Sequence, residues 1–388
     1  MNRLSRILVV SQVFPRPRMQ ESGRFMANLA EGWSAQGLDV EVVTSATLSQ
    51  RLKSLRRKRV DVDIPGVRVR IVPTLGTPFP RRLPNWLRRW LERRDAKKVV
   101  SATLQAARPD MIYAKFATGG IPARRAAQAF GVPYVVDLGE SSSLLSGGKD
   151  VVCERKRVLH DAAGVICVSP RLRDEAIALG AVPSSVVLIP NYPNWDRFYP
   201  RNKAACRRKL NVDPNVFLVA YLGHFIERKG ARRLNEALHQ MKHAAKAAFF
   251  GTGPLEPDFP GTIHSGSVPH DMLPIWLNAA DVLALPTIAE GSCNAITEAL
   301  ACALPIVTSD IVDVRWQVPE KGVILINPAK TEEISTTLDM LVENPNRVAA
   351  MRQDLEALIQ DVPKKSRSLE IQSWFEALYR QFSRTLNE

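Results

Sequence analysis

The stretch ADVLALPTIAEGSCNAITEALACALPIVTSD, residues 280–310, decides how this chain reads. It spells strand, loop, helix, turn and strand, the βαβ order of an open parallel sheet. Asp281-Val-Leu-Ala-Leu-Pro286 is a short apolar strand stopped by proline. Residues 294–302 make an alanine- and leucine-rich helix, and Pro305 opens the next strand, Ile306-Val-Thr-Ser309. Between the first strand and the helix lies Glu290-Gly291-Ser292-Cys293-Asn294: one acid, small residues, then the free amides of a helix start. Such a turn falls outside the carboxyl ends of the strands, where open α/β sheets bind ligands. Amides at a helix N-terminus carry about half a positive charge and favour phosphate or a polar sugar rim.

A second acid, Glu298, follows eight positions after Glu290, one turn into the helix. By spacing alone the pair reads as a first-turn acid and a solvated glutamate, since acids gather at helix starts for dipole reasons. The whole pattern EGSCNAITEALACALPIVTSD nonetheless resembles the Glu, seven residues, Glu signature of retaining glycosyltransferases of family four, glycosyltransferase group 1. The resemblance implies an α/β protein of the GT-B fold: two Rossmann-like α/β/α domains facing each other across a cleft, with a C-terminal helix returning to the N-terminal domain. It also places Glu290 beside the transferred sugar and Glu298 on the ribose hydroxyls of a nucleotide, with no protein nucleophile identified. One departure is Ala303, where the family commonly has glycine. A residue just past a helix often needs left-handed geometry, which costs a non-glycine side chain about 1 kcal/mol.

Upstream, residues 216–222 (VFLVAYL) form a strand, and Gly223-His-Phe-Ile-Glu-Arg-Lys-Gly230 is a loop opening a helix that runs to about His239. A cation at such a turn offsets the charge that develops on a departing diphosphate, when it counts most for rate. Alone, Lys229 reads as a solvated helix-start lysine. The resembled family has glycine, arginine, four residues, then lysine-glycine, and both of its cations meet the diphosphate. Lys229 matches the lysine and Arg228 adjoins it. His224 takes the arginine's place; it donates a hydrogen bond but is charged only part of the time near neutrality. Donor-binding candidates are therefore His224, Arg228, Lys229, Gly291, Ser292, Cys293, Asn294 and Glu298, with Lys229 and Glu290 at the chemistry. Gly251-Thr-Gly253-Pro254 after strand 247–250 resembles the family's glycine-rich turn, and Val268-Pro-His270 resembles its base-flanking stretch.

The proline-punctuated segment 191–200 resembles the family's crossing between lobes. It suggests an N-terminal, acceptor-side domain 1–192 completed by a terminal helix 372–388, and a donor-side domain 193–371. Trp374, Phe375 and Leu378 should form the buried face of that helix. In the first half, strands are expected at 6–11, 38–44, 110–115, 133–138, 163–169 and 186–190. A helix at 23–36 should present Phe25, Leu29 and Trp33 as one face, and another should span 122–130. No G-x-G-x-x-G follows the first strand, so a dinucleotide site has no support. Where the family has paired glycines the chain has Ser22-Gly23, and where it often has a histidine the chain has Gly139. Gly23, Glu140 and Ser141 are the acceptor or cleft-side candidates; Glu140 reads equally as a plain helix-start acid.

Asp61-Val-Asp63 looks like a D-x-D metal motif, yet it sits in RVDVDIPGVRVRIV, an alternating hairpin turning at Pro65-Gly66. Hard cations need several convergent oxygens, so a hairpin's polar face is the simpler account. The resemblance likewise implies neither metal nor cofactor. The 388 residues suffice for two domains, and five cysteines without a C-x-x-C pair suggest free thiols in a reducing cytosol. MNRLSRILVVSQVFP has too short an apolar run for a signal peptide, and no stretch could span a bilayer. A cytoplasmic protein is expected, peripheral on the membrane in one reading. Net charge is +14, concentrated in RLKSLRRKR, 51–59, and in RRLPNWLRRWLERRDAKK, from Arg81 to Lys98. In the second stretch Leu83, Trp86, Leu87, Trp90 and Leu91 recur at helical spacing. Such a helix suits an anionic membrane surface, or its stripe faces the core; no nucleic-acid motif accompanies the charge. The reading is a glycosyltransferase joining a nucleotide-sugar to a glycan or lipid-linked acceptor. Another sugar-nucleotide enzyme (epimerase or phosphorylase) and a non-catalytic sugar-nucleotide binder are the alternatives.

Overall fold

The computed structural model describes residues 3–16, 23–55, 63–76, 84–269 and 271–385. Its residues group into two units, Met1–Pro190 with Ser366–Glu388, and Asn191–Lys365. The first unit is built on β1 (Arg6–Ser11), β2 (Asp39–Thr47), β3 (Val67–Thr74), β4 (Met111–Lys115), β5 (Tyr134–Leu138), β6 (Gly164–Cys167) and β7 (Val186–Leu188). They pair in the order β3-β2-β1-β4-β5-β6-β7, every pair parallel. The second unit holds β8 (Leu218–Leu222), β9 (Lys246–Phe250), β10 (Thr262–Gly266), β11 (Val282–Leu285), β12 (Ile306–Ser309) and β13 (Val323–Ile326). Their order is β10-β9-β8-β11-β12-β13, again all parallel.

Each sheet therefore grows outward from its first strand, then reverses and grows from the other side, the Rossmann arrangement. Parallel strands are covered on both faces, which is why β4, β5 and β11 are buried at every position and, but for Lys115 and Asp137, carry no charge. Helices return the chain between strands, and their inner faces close the cores: Leu234, Ala237 and Leu238 in one, Ile296 and Ala299 in another, all at most 2% exposed.

The terminal helix Arg367–Thr385 belongs to the first unit and starts earlier than expected. Phe375 is fully buried against Trp33 and Tyr113, with ring centroids 5.5 and 6.0 Å away. Trp374 and Leu378 are half-buried and cover Gly164. Arg367 grips Asp137 with both guanidinium nitrogens at 2.9 and 3.1 Å. Asp137, fully buried at the end of β5, also accepts from Lys115 Nζ at 2.9 Å and from the Tyr113 hydroxyl. Burial pushes its pKa up, but the Arg367 and Lys115 cations outweigh that and hold the carboxyl well below the usual range.

Several expectations need correction. The helix at Arg24–Ala35 buries Met26, Leu29 and Trp33 but leaves Phe25 40% exposed. The helix expected at 122–130 spans Phe116–Phe130, with Gly119, Gly120 and Pro122 accommodated inside it. Gly119 and Gly120 are buried there, where a Cβ would press on the Val10 carbonyl and the Val158 side chain. The first arm of the expected hairpin, with Asp61, lies outside the described residues; its second arm is β3, which pairs parallel with β2. In the basic stretch, Arg81 and Leu83 are outside the described residues, while the helix Asn85–Leu104 separates the stripe. Leu91 is buried at 8% exposure, whereas Trp86 and Trp90 are 71% and 55% exposed. The tryptophans are not core residues. All five cysteines are free, four of them buried.

Ala303 adopts φ 52°, the left-handed geometry anticipated from its place after the helix. Glycine there would relieve about 1 kcal/mol of strain, but it would also lose a buried methyl worth about 0.8 kcal/mol and loosen the unfolded chain. The terms nearly cancel, which makes alanine tolerable.

Replacing Arg367 by methionine should leave Asp137 with one cation in a site closed to water. We expect a loss of about 3–5 kcal/mol in the first unit, read by urea unfolding.

Candidate functional site

The second sheet reverses its order between β8 and β11, so the loops after these strands emerge side by side at the carboxyl end. The loop after β8 is Gly223–Gly230 in sequence, and that after β11 runs through Pro286, Glu290 and Ser292. They are zipped together. Ile288 N–H donates to the Arg228 carbonyl at 2.9 Å and the Thr287 hydroxyl to the same oxygen at 3.0 Å. In return the Arg228 guanidinium donates to the Ala289 carbonyl at 2.7 Å. Gly230 sits at φ 81°, and a Cβ there would collide with the Pro286 carbonyl, so only glycine permits this approach.

At the end of the zipper Lys229 Nζ meets both oxygens of Glu290, at 2.6 and 2.7 Å. An Arg228 nitrogen lies 3.7 Å from the same carboxylate. Glu290 is 3% exposed, so one buried acid holds two cations at the mouth of the loops. The structure thus brings Arg228, Lys229 and Glu290 together. His224 is not part of this cluster: it is exposed, and its ring makes no hydrogen bond among the described residues, although its carbonyl accepts from the Tyr221 hydroxyl at 3.0 Å.

The helix Asn294–Ala301 starts at the far side of the same loop, with Cys293 at its cap position and no side-chain cap. Gln317 fixes this start, taking the Cys293 amide at 2.9 Å and donating to its carbonyl at 2.8 Å. Sequence reasoning missed Gln317; nothing in its neighbourhood signals a partner on another loop. The Cys293 thiol is buried and its pKa is pushed up to about 12, first by burial and then by the Glu290 charge, so it is no nucleophile. The buried Ser292 hydroxyl has no hydrogen-bond partner among the described residues. Gly291 is buried beneath the loop and Asn294 is exposed. Glu298 lies one turn below Asn294 on the same helix face. Its carboxyl makes no hydrogen bond among the described residues, and burial alone pushes its pKa up to about 8.

The first unit has its own reversal between β1 and β4. Gly23, at φ 77°, caps the helix that follows the β1 loop, and a Cβ there would strike the backbone of Val13 and Phe14. Ser22 is outside the described residues. Glu140 spends its carboxylate on two amides, Ala117 N–H at 2.7 Å and Gly139 N–H at 2.9 Å. It thereby satisfies the start of a neighbouring helix, and burial raises its pKa. Ser141 is half-buried, with no hydrogen bond from its hydroxyl among the described residues. Beside Gly139 stands Lys115, which the sequence reading passed over: a Cβ at 139 would come 3.0 Å from its Nζ. The signal was a lysine ending the otherwise apolar strand MIYAK. The described residues hold no group of three or more His, Cys, Asp or Glu able to take a metal.

Comparison with known proteins gives these features a family. Residues 22–192 match the model of the glycosyl transferase 4-like domain, and residues 216–344 that of glycosyl transferases group 1. The Bacillus subtilis (strain 168) protein TuaC, named as a glycosyltransferase of teichuronic acid biosynthesis, is 27% identical over 348 residues, 86% of this chain and 88% of its own. A D-inositol 3-phosphate glycosyltransferase of Catenulispora acidiphila is 25% identical over 63% of this chain and 66% of its own. Among solved structures, sucrose-phosphate synthase from Thermosynechococcus elongatus superposes with a TM-score of 0.77 at 18% identity, covering 98% of this chain and 100% of that one. Anabaena HepE in complex with UDP and glucose gives 0.69 at 17% identity, covering 99% of each chain. With both units matched, the chain belongs to the group 1 glycosyltransferases of the GT-B fold.

Proposed function

We propose that this glycosyltransferase is a retaining enzyme that moves a sugar from a nucleotide-sugar to a glycan or lipid-linked acceptor. The observation that carries the reading is the cluster at the β8–β11 reversal: Lys229 and Arg228 on Glu290, beside an uncapped helix start. Lys229, Arg228 and the Ser292 and Asn294 amides neutralise the departing diphosphate, the Cys293 amide being held by Gln317. His224 swings in from solvent to donate a hydrogen bond. Glu290 orients the sugar, and Glu298 accepts from the ribose hydroxyls. The bond from the anomeric carbon to the diphosphate breaks, and the acceptor oxygen bonds the same face of that carbon. The acceptor's proton passes to the departing phosphate oxygen. On the other unit Gly23, Glu140 and Ser141 belong to the acceptor side.

The similarity to TuaC supports a cell-surface polysaccharide as the product class, and the likeness to HepE makes uridine nucleotides the first to try. A panel of UDP, GDP, ADP and CMP with their sugars tests the donor: at 100 times its dissociation constant a ligand adds about 2.7 kcal/mol, a shift of a few degrees in Tm. No shift with any of them would sink the reading. A product with the sugar still on its nucleotide would favour an epimerase instead.

Two variants should separate the roles of the ion pair. Lys229→Ala removes the diphosphate's partner, so nucleoside diphosphate should bind at least tenfold more weakly, the cost of about 1.5–3 kcal/mol for a charged hydrogen bond. Glu290→Gln releases the same cation from its buried acid, so diphosphate should bind more tightly than to wild type while transfer collapses. Titration calorimetry with the nucleoside diphosphate alone reads both.

Glu298 carries a linked prediction. The folded protein keeps its proton up to about pH 8, the unfolded chain only to 4.5, so this group's contribution to stability falls as pH rises between those values. Glu298→Gln should therefore gain stability relative to wild type as pH rises from 5 to 8, with a plateau above. Melting curves across that range check it, and donor affinity should fall in the same variant.

With the lysine and arginine supplying positive charge, transfer should need no metal. Activity that survives EDTA treatment is the expected result; loss restored by added magnesium would overturn it.

A further inference from the structure

The helix Asn85–Leu104 has two faces with different employment. Leu91, Asp95, Val99 and Thr103 turn inward: Leu91 and Thr103 are buried, Val99 packs on the core. Asp95 accepts from the Leu75 and Gly76 amides at 3.1 and 2.8 Å. Trp86, Trp90, Arg93 and Lys97 recur at intervals of four, three and four, within one narrow arc of a 3.6-residue helix. All four are exposed. A solvated face explains the arginine and the lysine but not two adjacent, largely uncovered indoles.

The helix is anchored so that this stripe points somewhere definite. Asp95 holds it just past the end of β3, and an Arg70 nitrogen 3.5 Å from the Gln105 carbonyl holds its far end back along that strand. At about 1.5 Å per residue, Trp90 and Trp86 stand roughly 7 and 13 Å beyond Asp95, past the carboxyl edge of the sheet. The Leu75 carbonyl also accepts from Leu48, the first residue of the helix Leu48–Leu55, whose Leu52 is 56% exposed. Exposed indoles and a leucine thus share one edge, with cations further along the same stripe.

We propose that this edge docks the first unit on an anionic bilayer surface. Trp86, Trp90 and Leu52 enter the headgroup layer, and Arg93 and Lys97 face its phosphates. Indoles prefer the interfacial depth, where their rings are apolar and the N–H is wet, and basic side chains complement anionic headgroups. The carboxyl end of this sheet is also where the unit would receive an acceptor, so docking would bring a lipid-linked substrate to its site. That last step rests on the proposed function; the docking does not.

The test is co-sedimentation of the full chain with vesicles of phosphatidylcholine alone and of phosphatidylcholine with phosphatidylglycerol, at low and moderate salt. Wild type should bind only the anionic vesicles, more weakly as salt rises. Arg93→Glu with Lys97→Glu should lower the partition at least roughly tenfold, since each basic residue near the surface contributes about fivefold. Trp86→Ala with Trp90→Ala, which leaves the net charge unchanged, should lower it by a similar factor. Both double variants should keep the wild-type melting temperature and its response to the donor, because the altered side chains are exposed. Binding that survives the tryptophan exchange would mean generic attraction of a +14 chain and overturn the proposal. So would a wild type that ignores anionic vesicles. A dimer in light scattering that the tryptophan exchange splits into monomers would assign the edge to a second copy and overturn it equally.

Discussion

A carboxylate taken out of water has to be neutralised, and in both units that need organises the carboxyl end of the sheet. In the second unit Glu290 draws Lys229 and Arg228 onto itself, and the two loops that carry them close into one surface. In the first, Asp137 draws Lys115 from the adjacent strand and Arg367 from the terminal helix. The geometry differs in one respect that matters. Asp137 is enclosed on all sides and its cations are spent on it, so that cluster holds a fold together. Glu290 lies at the mouth of its loops, and the Arg228 and Lys229 side chains on it stay partly accessible. A buried pair is a poor source of net stability because desolvation offsets attraction. Its value at the mouth is that the charges are already positioned before any ligand arrives.

Glu298 shows the opposite treatment of an acid. Among the described residues it has no cation beside it, and burial alone leaves it protonated near neutrality. Such a residue costs the fold stability at every pH above the ordinary carboxylate range, and groups disfavoured in this way concentrate at functional sites. Eight positions of sequence therefore separate an acid satisfied by the protein from one left unsatisfied by it.

Much of this was legible in the sequence. Apolar runs broken by glycine and proline located the strands, and the order of strand and helix demanded parallel sheets. The Glu290 to Glu298 motif marked the loop after β11, and even the left-handed turn at Ala303 could be anticipated from its place after the helix. What stayed hidden were pairings over long separations. Lys115 looks like a solvated strand end until Asp137 and Arg367 are seen around it. Gln317 has no local reason to hold Cys293, and Arg228 could not be aimed by its neighbours. Local rules also misled where tertiary packing prevailed. The helix expected at 122–130 begins at Phe116, and Gly119 and Gly120 inside it are what let it lie close on the sheet. In the basic stretch periodicity found the helix but could not say which of two adjacent stripes faced inward.

The return of the terminal helix has a consequence for how the molecule is made. Ser366–Glu388 complete a unit whose other residues end at Pro190, so the second unit is enclosed within the first along the chain. On a ribosome the second unit can finish folding while the first still lacks Phe375 over Trp33 and Arg367 over Asp137. Until the last segment emerges, the Asp137 carboxylate has only Lys115 beside it and an apolar surface at Trp33 and Tyr113 is uncovered. The residues of the first unit made before the second thus become native after it, and they are the part that a chaperone would have to shield.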